Sequence, residues 1–229
     1  MNLIILMSIF INILLVVEGA NPSDGITRLK NKINSAVNDL TRYSNSLESN
    51  LKYKLSNLKI NEMTNVNNAV NSAIDETRKA ITAANAQGKN ADHCFEPTRL
   101  RLRDASQAAF NSLDKCVNDQ VLTLKPVKQN IETHLLNGKL LLSKLDLIMI
   151  NCASGTPMQV QVCIAQQMPE ANSSVNNYES TVSQLKNTGD SISSSGITGT
   201  MRCFQMPMTT LYNNVSSARI ATSNCIKNA

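Results

Sequence analysis

The sequence predicts an all-α protein, a disulfide-stapled up-down helical bundle with a long N-terminal heptad-patterned helix or helical hairpin. The first observation is composition, because 229 residues include only 8 Gly, 6 Pro, no Trp and 3% aromatic residues, too few aromatic side chains for a β-sandwich or barrel. The second is that apolar residues recur at steps of three and four along most of the chain. The third is an even set of 6 Cys, which indicates a disulfide framework.

The first element is an apolar run over residues 3–17, which ends just before Gly19. It is short for a membrane span but has the length of the apolar core of a secretory signal peptide. Val17 and Gly19 occupy the −3 and −1 positions of a cleavage site, so we predict a signal peptide at residues 1–19. The protein is therefore expected to be secreted and extracellular, with no membrane span in the mature chain.

Two further features agree with export. The 6 Cys all lie beyond residue 90, and an even set of this kind is common in proteins of oxidising compartments. N-glycosylation sequons begin at Asn172 and Asn214, so we expect a glycoprotein.

The chain carries a formal net charge of +5, but its basic residues are spread out rather than bunched. The densest basic segment, residues 99–103, points its arginines to different sides of a helix and is interpreted as a solvated face. With no Trp, 4 Tyr and 4 Phe, stacking surfaces for bases are few. No nucleic-acid partner is therefore predicted.

Residues 20–90 form a long helical region without cysteine. Its apolar residues follow a heptad seam with steps of three and four: Ile26, Leu29, Ile33, Ala36, Leu40, Tyr43 and Leu47. After a stutter near Leu55 the seam resumes as far as Ala84. The region is either one helix or a hairpin broken at residues 61–68, where asparagines lower helix propensity, and the hairpin is favoured slightly. An apolar seam on a single long helix must be buried against another surface, so we predict self-association or an unknown protein partner through this region.

Residues 91–229 form the predicted six-cysteine bundle, which contains an internal repeat at 94–116 and 203–225. Cys94-Phe95 is followed at intervals of seven by Leu102, Ala109 and Cys116, and Cys203-Phe204 is followed in the same register by Leu211, Ala218 and Cys225. An internal repeat explains the shared register better than coincidence does, and each copy is expected to form one helix with a buried stripe.

Two more helices are predicted between the copies of the repeat. One follows Pro126, and its apolar part at residues 140–150 is expected to be the most central helix. The other begins after Pro169 and ends at a flexible loop over residues 193–199, which is rich in Ser and Gly. Four helices with short connectors imply an up-down-up-down bundle.

This topology predicts the disulfide pairing. A helix from Cys94 to Cys116 would be about 33 Å long at 1.5 Å per residue, whereas bonded cysteines need Cα atoms within about 7 Å, so neither copy can close on itself. The first and fourth helices run antiparallel and adjacent, which predicts the pairs Cys94–Cys225 and Cys116–Cys203, with Cys152–Cys163 formed locally. The alternative joins neighbouring hairpins through Cys94–Cys152 and Cys163–Cys225.

Side chains that could carry catalysis or bind a metal are few. His93 adjoins Cys94, but the cysteines are expected in disulfides, so no zinc site is predicted. His134 is interpreted as a boundary residue of its helix, and Ser183 with Lys186 matches a Ser-x-x-Lys spacing without its companion motifs. Acidic residues are scattered, so no carboxylate pair for acid–base work can be proposed. We therefore predict no enzyme, no catalytic residue, no cofactor and no metal.

Several of these features together resemble the secreted insect proteins with a TsetseEP domain. They are the signal peptide, a Ser/Asn-rich helical chain, and the two Cys-Phe helices Cys94-Phe95…Cys116 and Cys203-Phe204…Cys225. The resemblance covers roughly residues 90–229. It implies a secreted protein, often associated with the insect gut, without an established enzymatic role and without catalytic residues to carry over. The acidic Glu-Pro repeats of the family's namesake are absent from this sequence.

The expected function is that of a secreted, non-enzymatic helical interaction or structural protein of the insect gut or another secretion. The alternative is an extracellular carrier that encloses a lipid or another apolar small molecule between its helices. The 9 Met and the apolar residues 140–150 would suit an adaptable pocket, although the same residues are typical of an ordinary core.

Overall fold

The computed structural model describes residues 22–229, and the predicted signal peptide at residues 1–19 lies outside them. Four α-helices follow one another, α1 (Pro22–Ala86), α2 (Phe95–Leu122), α3 (Lys125–Asn151) and α4 (Pro157–Lys227), with a short 3-10 helix at Asp92–Cys94. No strand occurs between residues 22 and 229, so the all-α fold class is confirmed. None of the helices in this range combines the length and apolar character that crossing a lipid bilayer requires.

α1 is one uninterrupted helix of 65 residues, so the favoured hairpin, broken at residues 61–68, is wrong and the single helix is correct. The apolar seam continues through the asparagine-rich segment, because Val66 and Val70 are both buried. Burial of an apolar face stabilises a helix more than intrinsic propensity does, and this burial compensates for the asparagines.

The end of α1 is a Schellman motif. Gly88 adopts a left-handed backbone with a φ of 84°, which glycine reaches without the steric cost of a Cβ. The N–H of Gly88 donates to the carbonyl of Asn85 at 3.0 Å, and the N–H of Lys89 donates to the carbonyl of Ala84 at 3.2 Å. Two of the last carbonyls of α1 are thereby satisfied, and the chain turns towards α2.

α4 begins at Pro157 and not after Pro169, where the sequence pattern predicts a start. Thr156 and Gln159 form a capping box: the N–H of Thr156 donates to Gln159 Oε1 at 2.8 Å, and the N–H of Gln159 donates to Thr156 Oγ1 at 3.4 Å. Pro157 takes the first helical position, where its missing N–H has no intrahelical partner to lose. These local signals define the start of the helix.

α4 also runs without a break through residues 193–199, so the flexible loop predicted there is wrong. Gly199 faces Gln120 of α2, and a Cβ on this glycine would lie 2.9 Å from Gln120 Oε1. Gly196 faces Leu51 of α1, whose nearest methyl group would lie 3.6 Å from such a Cβ. The two glycines are therefore places where neighbouring helices approach α4, and they lie within a helix.

The chain divides into two compact units, each built from three helical segments. Within the described residues, unit 1 comprises residues 22–44 and Val127–Thr188. In this unit α3 runs antiparallel to the other two segments, as the following contacts show: Lys30–Asp146, Val37–Gly138, His134–Tyr178 and Cys152–Cys163. The α1 and α4 segments run parallel to each other and are joined by the ion pairs Lys32–Glu179 and Asp39–Lys186.

Unit 2 comprises Asn45–Pro126 and Gly189–Ala229. Here α2 runs antiparallel to the other two segments, as these contacts show: Lys59–Asp114, Arg78–Phe95, Cys94–Cys225 and Cys116–Cys203. The α1 and α4 segments again run parallel and share the ion pair Glu76–Arg219. The boundary drawn from the sequence at residue 90 falls inside this unit.

The heptad seam of α1 is buried within the units of this chain. Its residues Ile26, Leu29, Ile33, Leu40 and Leu47 are at most 4% exposed. The seam therefore supplies core to the bundle and leaves no free face at these positions.

Candidate functional site

Residues 91–229 form three α-helices, α2, α3 and α4, and not the predicted four of an up-down-up-down bundle, because α4 takes the place of the last two. The six cysteines nevertheless form three disulfides with the predicted pairs. Their Sγ–Sγ distances are 1.92 Å for Cys94–Cys225, 1.88 Å for Cys116–Cys203 and 1.95 Å for Cys152–Cys163. The alternative pairs, Cys94–Cys152 and Cys163–Cys225, do not form. The Cys116–Cys203 bond joins the antiparallel helices α2 and α4, and Cys94–Cys225 joins the 3-10 helix just before α2 to the end of α4. The Cys152–Cys163 bond ties the residue that follows α3 to α4.

His93 lies against the Cys94–Cys225 disulfide. Its Nδ1 atom donates to the carbonyl of Asn90 at 3.0 Å, and its Nε2 atom faces the disulfide. That atom lies 3.7 Å from Cys94 Sγ and 3.6 Å from Cys225 Sγ. Both sulfurs are bonded to each other, whereas zinc is bound by thiolates, so these three atoms are not a set of metal ligands in this structure.

His134 packs against Tyr178 and not against a nucleophile. The two rings stack with centroids 4.2 Å apart and planes 11° from parallel, and His134 Nε2 donates to the Tyr178 carbonyl at 3.2 Å. The Tyr178 hydroxyl is buried without a hydrogen-bond partner, and burial raises the pKa of this phenol. The pair is a packing contact between α3 and α4.

Ser183 and Lys186 do not assemble into a nucleophile and base. Ser183 Oγ donates to the carbonyl of Glu179 at 3.2 Å, while Lys186 Nζ pairs with Asp39 Oδ2 at 2.7 Å. The hydrogen bond from Lys186 lowers the pKa of Asp39. The Ser-x-x-Lys spacing therefore reflects a local hydrogen bond and an ion pair between helices.

α3 carries a second apolar face that points to solvent. Leu136, Leu140, Leu147 and Ile150 are between 51% and 66% exposed. At about 100° per residue they fall within about 80° of one another around the helix axis. With Ser143 among them they follow the alternating steps of four and three of a heptad seam. We call these four apolar residues the outer stripe.

The buried face of α3 lies on the opposite side of the helix. Val127, Ile131, Gly138 and Leu145 are buried, and the same rotation places them about 180° from the outer stripe. The prediction that residues 140–150 form the most central helix is therefore wrong, because α3 packs one face only. The sequence alone does not identify the outer stripe as a functional surface. The pattern that could have indicated it is the presence of apolar residues on both sides of α3. A contiguous exposed apolar patch marks an interaction site.

A groove of about 400 Å³ lies in unit 2 beside the Cys116–Cys203 disulfide and is open to solvent. Small and medium apolar side chains of α2 and α4 line it, among them Ala109 and Leu211, together with exposed Lys115 and Arg202. Its volume is within the range of ligand pockets, about 300–1,000 Å³. This groove could receive an apolar molecule.

Both predicted glycosylation sites lie on exposed faces of α4. Asn172 is exposed, and its Nδ2 atom donates to the Met168 carbonyl at 2.8 Å. Asn214 is also exposed and lines the groove of unit 2. Their accessibility is compatible with glycosylation, which stays a prediction for both residues.

Comparison of the chain with protein-family models, curated proteins and solved structures finds no match.

Proposed function

We propose that the protein is a secreted, non-enzymatic helical interaction protein that binds a partner protein through the outer stripe of α3. The observation that carries the proposal is the exposure of four large apolar side chains at heptad spacing on one helix face. The sequence pattern points to the α1 seam as the partner surface, but that seam lies in the core. The outer stripe has the same spacing and is free, so it takes the place of the seam in this proposal.

The arrangement of titratable groups supports a non-enzymatic role. Among the described residues, shifted pKa values occur in ion pairs: the pKa of Asp39 is lowered by Lys186, that of Glu96 is lowered by Arg99, and that of Arg99 is raised by Glu96. Another shifted pKa belongs to the buried Tyr178. Active sites concentrate such groups in one cleft, whereas here each shift has its own local cause.

Secretion is part of the proposal and is supported by the three disulfides, since such bonds persist in oxidising compartments. The signal peptide at residues 1–19 and glycans at Asn172 and Asn214 belong to the same proposal. The resemblance to TsetseEP-domain proteins suggests the insect gut as the place in which to look for the partner first.

A second candidate function is that of an extracellular carrier for a lipid or another apolar small molecule. The groove beside Cys116–Cys203 favours it, because its volume of about 400 Å³ and its apolar lining suit a small ligand. Met206 lines the groove and is 77% exposed, which makes it an adaptable contact for such a molecule.

Native mass spectrometry of the protein purified from the secretion in which it occurs tests the proposal. We expect a stoichiometric complex with a partner protein. The double variant Leu140→Asp/Leu147→Asp should abolish the complex, because it places two charges in the centre of the outer stripe. Met206→Asp is the control, since it introduces the same type of charge at an exposed apolar residue of the groove and should leave the complex intact.

The same measurement separates the two candidate functions. A retained apolar molecule that is lost in the Met206→Asp variant but kept in the stripe variant would establish the carrier. A protein complex that persists in the Leu140→Asp/Leu147→Asp variant would contradict the role of the outer stripe.

A further inference from the structure

Resting on the proposed function, we propose that the outer stripe binds an amphipathic helix of a partner protein whose apolar seam is flanked by acidic residues. Three features of α3 carry this inference: the spacing of the stripe, its narrow width, and the unpaired lysines beside it. Each one restricts the class of partner further than exposure alone does.

The spacing favours a helical partner. With Ser143 included, the positions 136, 140, 143, 147 and 150 alternate steps of four and three, which is the pattern of the a and d positions of a coiled coil. In such a packing each apolar knob enters a hole formed by four residues of the facing helix. Leu136, Leu140, Leu147 and Ile150 span about four helical turns, the length of about two heptads of a partner helix.

The width of the stripe argues against a lipid surface. Helices that lie in a membrane interface present a broad apolar face with Lys and Arg on the opposite, polar side. The outer stripe covers only about 80° of the helix circumference, and the opposite side of α3 is buried in unit 1. A narrow seam is the shape that a second helix covers.

The charges beside the stripe define the partner's flanks. In the heptad set by Leu140 and Leu147, Lys139 takes a g position and Lys144 takes an e position, one on each side of the seam. Both lysines are exposed and have no carboxylate partner among residues 22–229. Asp146, the other g position, is already paired with Lys30 of α1. Acidic residues at the flanking positions of a partner helix would therefore complement this face.

A second copy of this chain is a poorer occupant for the same reason. It would bring the same two unpaired lysines to the seam, and the whole chain carries a net charge of +5. Glu132, one turn before Leu136, is exposed, but it lies beyond the end of the stripe. Like charges across an interface disfavour the wrong partner, so an acidic helix is the better complement.

The test uses two designed amphipathic peptides of about three heptads with identical apolar a and d positions. One carries Glu at its e and g positions and the other carries Lys, so like charges keep each peptide from pairing with itself. Binding to the full chain is measured by fluorescence anisotropy at low salt. We expect the Glu peptide to bind about three- to tenfold more tightly than the Lys peptide, with the difference shrinking at about 0.5 M salt because screening weakens exposed pairs.

Charge reversal provides the decisive variant. Lys139→Glu/Lys144→Glu should reverse the preference towards the Lys peptide, whereas Lys54→Glu/Lys79→Glu, the same charge change on exposed lysines of α1, should leave the preference unchanged. Leu140→Asp/Leu147→Asp should abolish binding of both peptides. Circular dichroism of each variant verifies that the helical fold is retained.

Four other outcomes would overturn the inference. If both peptides bind equally and charge reversal does not change this, the partner helix does not need acidic flanking residues. The outer stripe would still be a partner surface, so the proposed function would survive. Binding of neither peptide would reject a helical partner. Binding instead to phosphatidylcholine vesicles with about a quarter phosphatidylserine would assign the stripe to a membrane surface. If sedimentation equilibrium shows a dimer that the Leu140→Asp/Leu147→Asp variant does not form, the outer stripe binds a second copy of this chain.

Discussion

Gly138 is a residue at which three helices meet in unit 1. A Cβ added to this glycine of α3 would lie 2.6 Å from Val37 Cγ2 on α1 and 2.7 Å from Tyr178 Cζ on α4. The Tyr178 ring is also stacked on His134, so it has little room to give way. The absence of a side chain at residue 138 is thus a packing requirement in this unit.

Gly138→Ala is therefore expected to lower the free energy of unfolding by about 1–3 kcal/mol, the usual cost of overpacking a core. Gly196→Ala is the matched control in α4, because its Cβ would lie 3.6 Å from the nearest atom of Leu51. This control should be neutral or stabilising by up to about 1 kcal/mol through its gain in helix propensity. Urea unfolding followed by circular dichroism measures both variants, and equal losses would contradict the close packing at Gly138.

Residue patterns in the sequence predict the cysteine pairs but not the role of the glycines. The pairs follow from helix length and direction, which heptad spacing encodes. Gly196 and Gly199 resemble loop residues because Ser and Gly are concentrated around them. Only the positions of Leu51 and Gln120 reveal that these glycines pack inside a helix, and those positions depend on the tertiary structure.

At the level of a single helix, the apolar pattern places the start of α4 after Pro169, although the signals that set the end of α1 and the start of α4 are local. The Thr156-x-x-Gln159 capping box and the left-handed Gly88 are both local signals that can be read from the sequence. The asparagines at residues 61–68 and the segment 193–199 predict breaks that do not occur. In both places buried residues of the same helix, such as Val66 and Gly196, pack in the core, and packing overrides local propensity.

α3 shows the limit of periodicity as a guide to burial. Its apolar residues lie on two opposite sides, which makes the helix look central when the sequence is taken alone. The number of helical segments that surround it decides which side is covered, and unit 1 supplies two neighbours on one side only. The exposed side could not be identified before the topology was known, and this is why the outer stripe is missing from the sequence predictions.

At the scale of the whole molecule, the disulfides close loops of very different length. Cys116 and Cys203 are separated by 87 residues, whereas Cys152 and Cys163 are separated by 11. A disulfide restricts the unfolded chain more strongly when it closes a longer loop. The Cys116–Cys203 bond should therefore contribute more stability than the Cys152–Cys163 bond across the connection between α3 and α4.

The pair variant Cys116→Ser/Cys203→Ser is accordingly expected to lose at least about 1 kcal/mol more of the free energy of unfolding than Cys152→Ser/Cys163→Ser does. Denaturant unfolding under non-reducing conditions measures both losses against the unmodified chain. A larger loss for the short-loop pair would show that loop closure does not govern the contribution of these bonds.

For the molecule as a whole, sequence patterns encode the fold but not the partner surface. The 3.6-residue periodicity and the even cysteine set encode the helical class and its cross-links. They do not encode a partner, because a seam on α1 and a stripe on α3 have the same spacing. Folding buries the first and exposes the second, and that difference is the basis of the proposed function.

Hydroxyl-radical footprinting of the free protein and of its native complex tests whether the outer stripe is the partner surface, because it reports the exposure of individual side chains. We expect labelling of Leu136, Leu140, Leu147 and Ile150 to fall at least about tenfold in the complex, as for side chains at the dry centre of an interface. Tyr53 on α1 and Met206 in the groove, both exposed in the free chain, should keep their labelling. Unchanged labelling of the outer stripe in the complex would show that the partner binds elsewhere.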